Sequence, residues 1–355
     1  MFCPRCHREL PERFRFCPYD GVETQPGRDL ERVGAKPTHL TDELLGRRYR
    51  VRGFIGKGSI ARVYLAEDEK TGRPVAVKVL EEPHRRDETV RTRFLREARA
   101  VTKIGHPGNV EVLEAGIRDD DGAPYLVMEF LFGEPVGRYL AREGTCPAEI
   151  ALPALRQAAS ALAAAHHKGI VHRDIKPDNL FFIGGPGDPY ELKVLDFGCS
   201  KLQQSNLTAA GVLLGTPGYM APEQVVAESV GPRTDVYALG MVMYRMATGR
   251  LPFPSSEDVV VLAHQLHVAP PPPTELVPEL DPRLEAVILT ATRKSPAHRY
   301  PTMHVLLDDL GKIGDGRAKL WAGPAQEDRY EPETKAGKLL ADALARNVRR
   351  PPRAR

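Results

Sequence analysis

Apolar residues follow two different rhythms along this chain. From Tyr49 to Met128 they come as short runs rich in β-branched residues: Phe54-Ile55, Val63-Tyr64-Leu65-Ala66, Val75-Ala76-Val77-Lys78-Val79-Leu80, Val110-Glu111-Val112-Leu113 and Tyr125-Leu126-Val127-Met128. Branched side chains suit a pleated, half-buried surface, so these runs predict strands. Between 91 and 104 the spacing changes. Phe94-Leu95, Ala98 and Val101 return at helical intervals and predict one helix among the strands. This half reads as a mainly antiparallel sheet with a single helix.

Beyond it the rhythm is helical. An Ala- and Leu-rich stretch over 151–167 predicts a helix that stops at Gly169, a residue suited to the left-handed position after a helix end. A buried-type helix is expected over 235–248, with others over 257–267, 281–293 and 301–312. Two short strands, Leu180-Phe181-Phe182-Ile183 and Leu192-Lys193-Val194-Leu195, flank a long Gly- and Pro-rich turn. The prolines at 270–273 predict a short polyproline II connection. A sheet-rich part followed by a larger helical part predicts the α+β class. Residues 24–46, with Pro26-Gly27, Gly34 and Pro37, read as a linker. Over 334–350 the tail predicts a helix with Leu340, Leu344 and Val348 in a stripe. It ends in Arg346, Arg349, Arg350, Arg353 and Arg355, read first as a solvated basic tail and second as a segment that docks on the folded domain or on an acidic partner.

Composition narrows the function classes. The chain has 355 residues, 42% of them hydrophobic, enough for one two-lobed domain with additions. Fifty basic against 47 acidic residues, a net charge of +3, give no reason to propose nucleic acid as a partner. No apolar run approaches the roughly 18–20 residues of a membrane span. The start, Met1-Phe2-Cys3-Pro4-Arg5, has no apolar signal core, so the reading is cytoplasmic with reduced cysteines. Of five cysteines, Cys3, Cys6 and Cys17 cluster near the start while Cys146 and Cys199 stand alone. That distribution favours a metal site over a disulfide framework.

The candidate chemistry centres on His172-Arg173-Asp174 and Ile175-Lys176-Pro177-Asp178-Asn179, which put a carboxylate, cations and a carboxamide into one short loop. Asp196-Phe197-Gly198 follows, then Gly215-Thr216-Pro217-Gly218-Tyr219-Met220-Ala221-Pro222-Glu223. Upstream lie Gly56-Lys57-Gly58-Ser59-Ile60-Ala61 between two strands, Lys78 at the end of an apolar strand, and Glu97 in the helix. Together these resemble the catalytic core of a eukaryotic-like, bacterial-type serine/threonine protein kinase. The resemblance implies a two-lobed kinase fold, an antiparallel-sheet N-lobe with one helix and a mainly helical C-lobe, over 47–312.

It implies the following roles. Asp174 orients the substrate hydroxyl, Lys176 neutralises the γ-phosphate, and Asn179 and Asp196 hold Mg²⁺ or Mn²⁺. Lys78 contacts the α- and β-phosphates and pairs with Glu97. Ile55, Gly56, Lys57 and Gly58 form the phosphate loop, its third glycine replaced by Ala61. Met128 is the gatekeeper, and Glu129, Phe130 and Leu131 form a hinge that binds adenine through backbone groups. Val63, Ala76 and Leu180 sandwich the base. Lys176 and Thr216 mark the serine/threonine type, with Thr216 hydrogen-bonding near Asp174. Glu223 pairs with Arg299, Asp235 anchors the catalytic loop, and His172 packs in the core. Arg173 receives a phosphate on the activation loop, where Thr208 is the expected acceptor, ahead of Ser205 and Ser200. Cys199 reads as a buried, inert thiol.

Two additions flank that core. Residues 1–23 resemble a zinc-ribbon-like module in which Cys3, Cys6 and Cys17 would be joined by either Asp20 or His7 as fourth ligand of a structural Zn²⁺. Such a module offers a site for a protein partner or self-association. The segment 313–355 is a tail, partly disordered with a short basic helix. Expected partners are ATP and proteins presenting Ser or Thr. An alternative class, an ATP-binding pseudokinase-like signalling scaffold, stays open because Ala61 alters the glycine loop and Ala209-Ala210 leave Thr208 alone.

Overall fold

The computed structural model describes residues 38, 40–58, 60–82, 84–183, 191–197, 216–313, 318–324 and 328–348. The expected zinc-ribbon-like module, and with it Cys3, Cys6, His7, Cys17 and Asp20, lies outside them, as do most of the linker and Cys199, Ser200, Ser205 and Thr208 of the activation loop. The chain forms two compact units: one runs to Glu134 and regains Phe182–Glu191, the other holds Pro135–Phe181 and everything from Leu192 on.

In the first unit a six-stranded antiparallel sheet has the order β1 (Leu44–Leu45), β2 (Tyr49–Lys57), β3 (Ala61–Asp68), β4 (Arg73–Leu80), β6 (Pro124–Glu129), β5 (Val112–Ile117). Register sorts its side chains. Tyr64, Val75, Val77, Val79, Tyr125 and Val127 share one buried cluster. Strand alternation therefore turns Val63, Ala76, Lys78 and Met128 to the opposite face, and the pairings Val63↔Lys78 and Ala76↔Met128 put them side by side. Helix α1 (Glu88–Val101) packs on β5 and β6 through buried Phe94 and Ala98. It starts three residues before the apolar pattern because Asp87 accepts the amides of Thr89 (2.8 Å) and Val90 (3.2 Å) and so caps it. Strand β5 lies later than the run Val110–Leu113 suggests. As an edge strand it leaves Leu113 and Ile117 nearly half exposed and carries a bulge between Val112 and Glu114, so its apolar pattern does not mark its ends.

The second unit is mostly helical: α2 (Val136–Glu143), α3 (Ala148–His167), α4 (Pro222–Val225), α5 (Pro232–Thr248), α6 (Asp258–His267), α7 (Pro282–Ala291), α8 (Met303–Gly311) and α9 (Lys335–Val348). A small separate sheet orders β7 (Gly133–Pro135), β8 (Leu180–Ile183) and β9 (Glu191–Val194). Helix α5 is buried nearly all round, which is why its sequence shows no polar face. It begins at Pro232, a residue suited to a first helical position. Helices α3, α7 and α8 pack on it.

Over its described residues the tail is docked, the second of its two expected states, and not solvated. Ala341 and Leu344 are buried against Leu262, Ala263 and Leu266 of α6, with Val348 packed beside them. Leu340, expected in the stripe, is 38% exposed. The buried face instead runs Gly337, Ala341, Leu344, Val348, because a small residue at 337 and 341 allows close approach where leucine would not fit.

Candidate active site

The loop His172–Asn179 is fixed from beneath by Asp235 on α5, which is fully buried. Its carboxylate accepts the amides of His172 (2.8 Å) and Arg173 (2.7 Å) and lies 2.7 Å from His166 Nε2 at the end of α3. Burial alone would raise this carboxyl. The hydrogen bond and charge of His166, with the charge of His172 and the Arg173 amide, outweigh burial and hold it below the usual carboxylate range. Arg173 has φ 71°, left-handed for a residue with a Cβ, a strain of about 1–3 kcal/mol. Both flanking peptide groups hold it there, its amide on Asp235 and its carbonyl on Gln224 Nε2 (2.8 Å).

His172 connects this loop to the segment carrying Asp196. Its Nδ1 accepts the Asp174 amide (3.2 Å), so its Nε2 carries the ring proton and donates to the Leu195 carbonyl (2.7 Å). The Leu195 amide donates to the Asn179 carbonyl (2.9 Å). With both of its backbone groups engaged, Leu195 sets Asp196 beside the catalytic loop. Asp196 also has positive φ, 55°. The Phe197 ring stacks at 4.7 Å on His172.

At the centre, one oxygen of Asp174 (Oδ2) receives Lys176 Nζ at 2.9 Å and Asn179 Nδ2 at 3.0 Å; Asn179 Nδ2 also bonds the Asp174 carbonyl at 2.7 Å. The other oxygen, Oδ1, makes no hydrogen bond among the described residues and can receive a hydroxyl. Because Asn179 donates through nitrogen, its Oδ1 is turned to ligand use. That oxygen and the Asp196 carboxylate are hard-oxygen donors, the type of group that could hold Mg²⁺ or Mn²⁺. The expected contact of Thr216 with Asp174 is not formed among the described residues. Thr216 is exposed instead.

Below this loop Arg299, fully buried, grips Glu223 at both oxygens (2.8 Å each). Burial opposes the Glu223 charge, but the guanidinium holds that carboxyl below its ordinary value. Tyr219, pushed up to about 12 by burial, feels Arg245 and Asp178 in opposite senses.

The nucleotide residues of the first unit form their own set. Gly58 N–H bonds the Ala61 carbonyl (2.8 Å), closing the turn between β2 and β3. A methyl group on Gly56 would meet no atom within 4 Å, and on Gly58 only the Ala61 carbonyl at 3.4 Å. Packing among the described residues does not demand these glycines, and the open space beside them would admit a phosphate chain. Ala61 itself is buried and paired with Leu80 inside the sheet, so the exchanged third glycine lies away from the tip of the loop. Lys78 is 3% exposed, flanked by Val63 and Leu126. Glu97 is in α1, but its side chain is outside the described set, so its pairing with Lys78 is not on view. The Glu129 amide is taken by the Glu111 carbonyl (3.0 Å), whereas the Leu131 amide has no partner among the described residues. Ile55, Lys57 and Val63 keep exposed surface, while Leu180, in the second unit, is fully buried.

Several functional positions carried little signal. His166 ends an Ala-rich helix, where a polar residue could have drawn notice. Gln224 and Leu195 could not, because they act through backbone bonds that any neighbouring fold could supply.

Comparison with known proteins places this geometry. A family model described as "Protein kinase domain" matches residues 49–309. Serine/threonine-protein kinase Pkn1 of Myxococcus xanthus is 38% identical over 327 residues, covering 86% of this chain and 46% of the relative. Serine/threonine-protein kinase PknL of Mycobacterium tuberculosis (strain ATCC 25618 / H37Rv) is 34% identical over 277 residues, covering 78% and 68%. The crystal structure of the Mycobacterium tuberculosis PknI kinase domain superposes with a TM-score of 0.62 at 25% identity, over 78% of this chain and all of that one. The chain spans about half the length of Pkn1 and of pkn3 from the same organism.

Proposed function

This chain belongs to the protein kinase family, and on that footing we propose that it transfers the γ-phosphate of ATP to Ser and Thr hydroxyls of proteins. The observation that carries the reading is Asp174, one oxygen engaged by Lys176 and Asn179 and the other open to a hydroxyl, in a loop held by buried Asp235. Phosphoryl transfer asks for alignment and charge neutralisation more than for covalent work. Asp174 orients the acceptor hydroxyl and takes its proton. Lys176 offsets charge on the transferred group. Lys78, with Glu97, holds the α- and β-phosphates, and the Leu131 amide receives the base. Asn179 and Asp196 would hold Mg²⁺ or Mn²⁺, which when bound supplies further charge neutralisation.

The test is phosphate transfer from Mg-ATP to a generic basic protein. Asp174→Asn and Lys78→Met should each lower the rate by at least about 100-fold while leaving the thermal midpoint unchanged. Undiminished labelling by either variant sinks the assignment.

Finer parts of the reading belong with it. Arg173 receives a phosphate placed on Thr208 by autophosphorylation; a fully active preparation with no phosphate within 199–216 by mass spectrometry removes this. Thr216 shapes the seat of the acceptor residue. Cys3, Cys6 and Cys17, with Asp20 or His7, hold a structural Zn²⁺ in a module that docks a partner or a second copy. Full-length protein purified without chelators and free of zinc would contradict that. A cytoplasmic setting accords with a free, buried Cys146.

A further inference from the structure

Residues 328–348 lie beyond the 49–309 match, yet they grip the second unit at three places. The Asp328 carboxylate accepts the amides of Lys294 (2.9 Å) and Ser295 (3.1 Å), just ahead of Arg299, the partner of Glu223. The Glu228 carboxylate accepts the Tyr330 hydroxyl (2.6 Å), the Thr334 amide (2.7 Å) and the Thr334 hydroxyl (3.1 Å), while the Glu228 amide donates to the Glu223 carbonyl (2.8 Å). Finally, α9 packs Ala341 and Leu344 into a cluster with α6 and with Met220 and Val225, and His267 Nε2 lies 3.0 Å from the Ala341 carbonyl.

The element gripped by the tail is also the element that fixes the loop at 216–220. Gln265 of α6 has no exposed surface. Its Nε2 donates to the Pro217 carbonyl (3.1 Å), and its oxygen accepts the Tyr237 hydroxyl. Helix α6 also packs directly on the turn Pro217–Tyr219 and on α4. Tail, α6 and loop thus form one continuous set of packed and hydrogen-bonded groups, with Met220 shared by both ends.

We infer that 328–348 is a positioning strap for the protein substrate: docked, it holds the 216–220 loop through α6 and α4, so that an acceptor polypeptide meets a preformed seat. The inference rests on the kinase reading above and adds a segment outside the matched domain. It acts through other residues and touches neither ATP nor the reacting hydroxyl.

Gly337 offers a selective lever. A Cβ there would lie 2.6 Å from Glu228 Oε1 and 2.9 Å from Thr334 Oγ1, two groups that bond each other, so Gly337→Ala must displace the Glu228 carboxylate, the Thr334 hydroxyl or both. Because the Gly337 amide also bonds the Thr334 hydroxyl that caps α9 (2.9 Å), exchange over 339–348 is followed as well, to tell lost docking from a frayed helix start. Leu344→Asp, which removes the buried contact with α6, provides a second route.

Both variants are compared with the full-length wild type by steady-state kinetics and amide hydrogen exchange. The expected result is a rise of about five-fold or more in KM for a protein substrate, equal to about 1 kcal/mol. KM for ATP and kcat stay near wild type, and exchange quickens over 216–226 as well as over 335–348. Faster exchange confined to the tail, or an unchanged protein-substrate KM, overturns the inference and leaves the tail as a cover for α6. A wild type inactive on every protein substrate would fall on the kinase reading instead; the exchange at 216–226 still decides the coupling.

Discussion

Lys294 shows how far one side chain can be moved from its ordinary chemistry. It is 2% exposed, with Nζ 3.1 Å from the Tyr237 hydroxyl, 3.3 Å from the His264 carbonyl and 4.8 Å from the centre of the Phe253 ring. Burial, and then the charge of Arg299, push its ammonium down to about 7, with Asp328 opposing. The unfolded chain keeps this proton up to about pH 10.4. Above neutrality the unfolded state therefore holds more protons, and stability rises with pH. Unfolding free energy from urea titrations should climb between about pH 7 and 8.5, with a slope approaching 1.4 kcal/mol per pH unit, and Lys294→Met should flatten it. The window closes there because the buried Cys146 thiol, pushed up to about 12, works in the opposite sense once unfolded thiols ionise. Equal slopes in both proteins would refute the placement of the charge. Asp174, Lys176 and Asn179 drew notice through the motif they share with protein kinases, and the structure brings them into one hydrogen-bonded group.

At the scale of elements, the crossing of α5 and α7 depends on Gly240. A Cβ there would come within 2.7 Å of Thr292 Cγ2 and 2.9 Å of Ala291 Cβ, neither of which can swing aside. Gly240→Ala gains about 1 kcal/mol of helix propensity, but overpacking costs about 1–3 kcal/mol. We expect a lower thermal midpoint by calorimetry; an unchanged or higher one would mean that the helices separate at no cost. The same packing logic separates what was legible from what was not. Helices α3, α5 and α6 followed from long apolar patterns. Helix α2 was missed, since eight residues with Val136, Tyr139 and Leu140 buried give too short a period to notice. The stripe on α9 was misplaced by one position. Helical spacing permits both Leu340 and Ala341, and only the nearness of Glu228 and α6 selects the small residues.

For the molecule as a whole, the second unit is tied by the ion pair of Glu223 and Arg299, which joins α4 to the segment following α7. Removing one partner leaves a buried charge alone, so Glu223→Gln should cost about 3–5 kcal/mol in urea unfolding. The double variant Glu223→Gln/Arg299→Met should cost less than the sum of the two single changes. Strict additivity would argue that the two residues do not act as a pair. This pair was foreseen from sequence motifs, but the tail contacts through Asp328, Glu228 and Leu344 were not. Sequence by itself determined the α+β class and the order of the longer strands and helices, and it carried the kinase motifs, because apolar period and motif residues are local properties of the chain. Tertiary structure alone decided that Asp174 keeps one oxygen open among the described residues, that Lys294 loses its ordinary basicity, and that α9 packs on α6. Those outcomes depend on which distant groups share a buried volume, where desolvation and hydrogen-bond geometry set the energy, and neither is written in the order of residues.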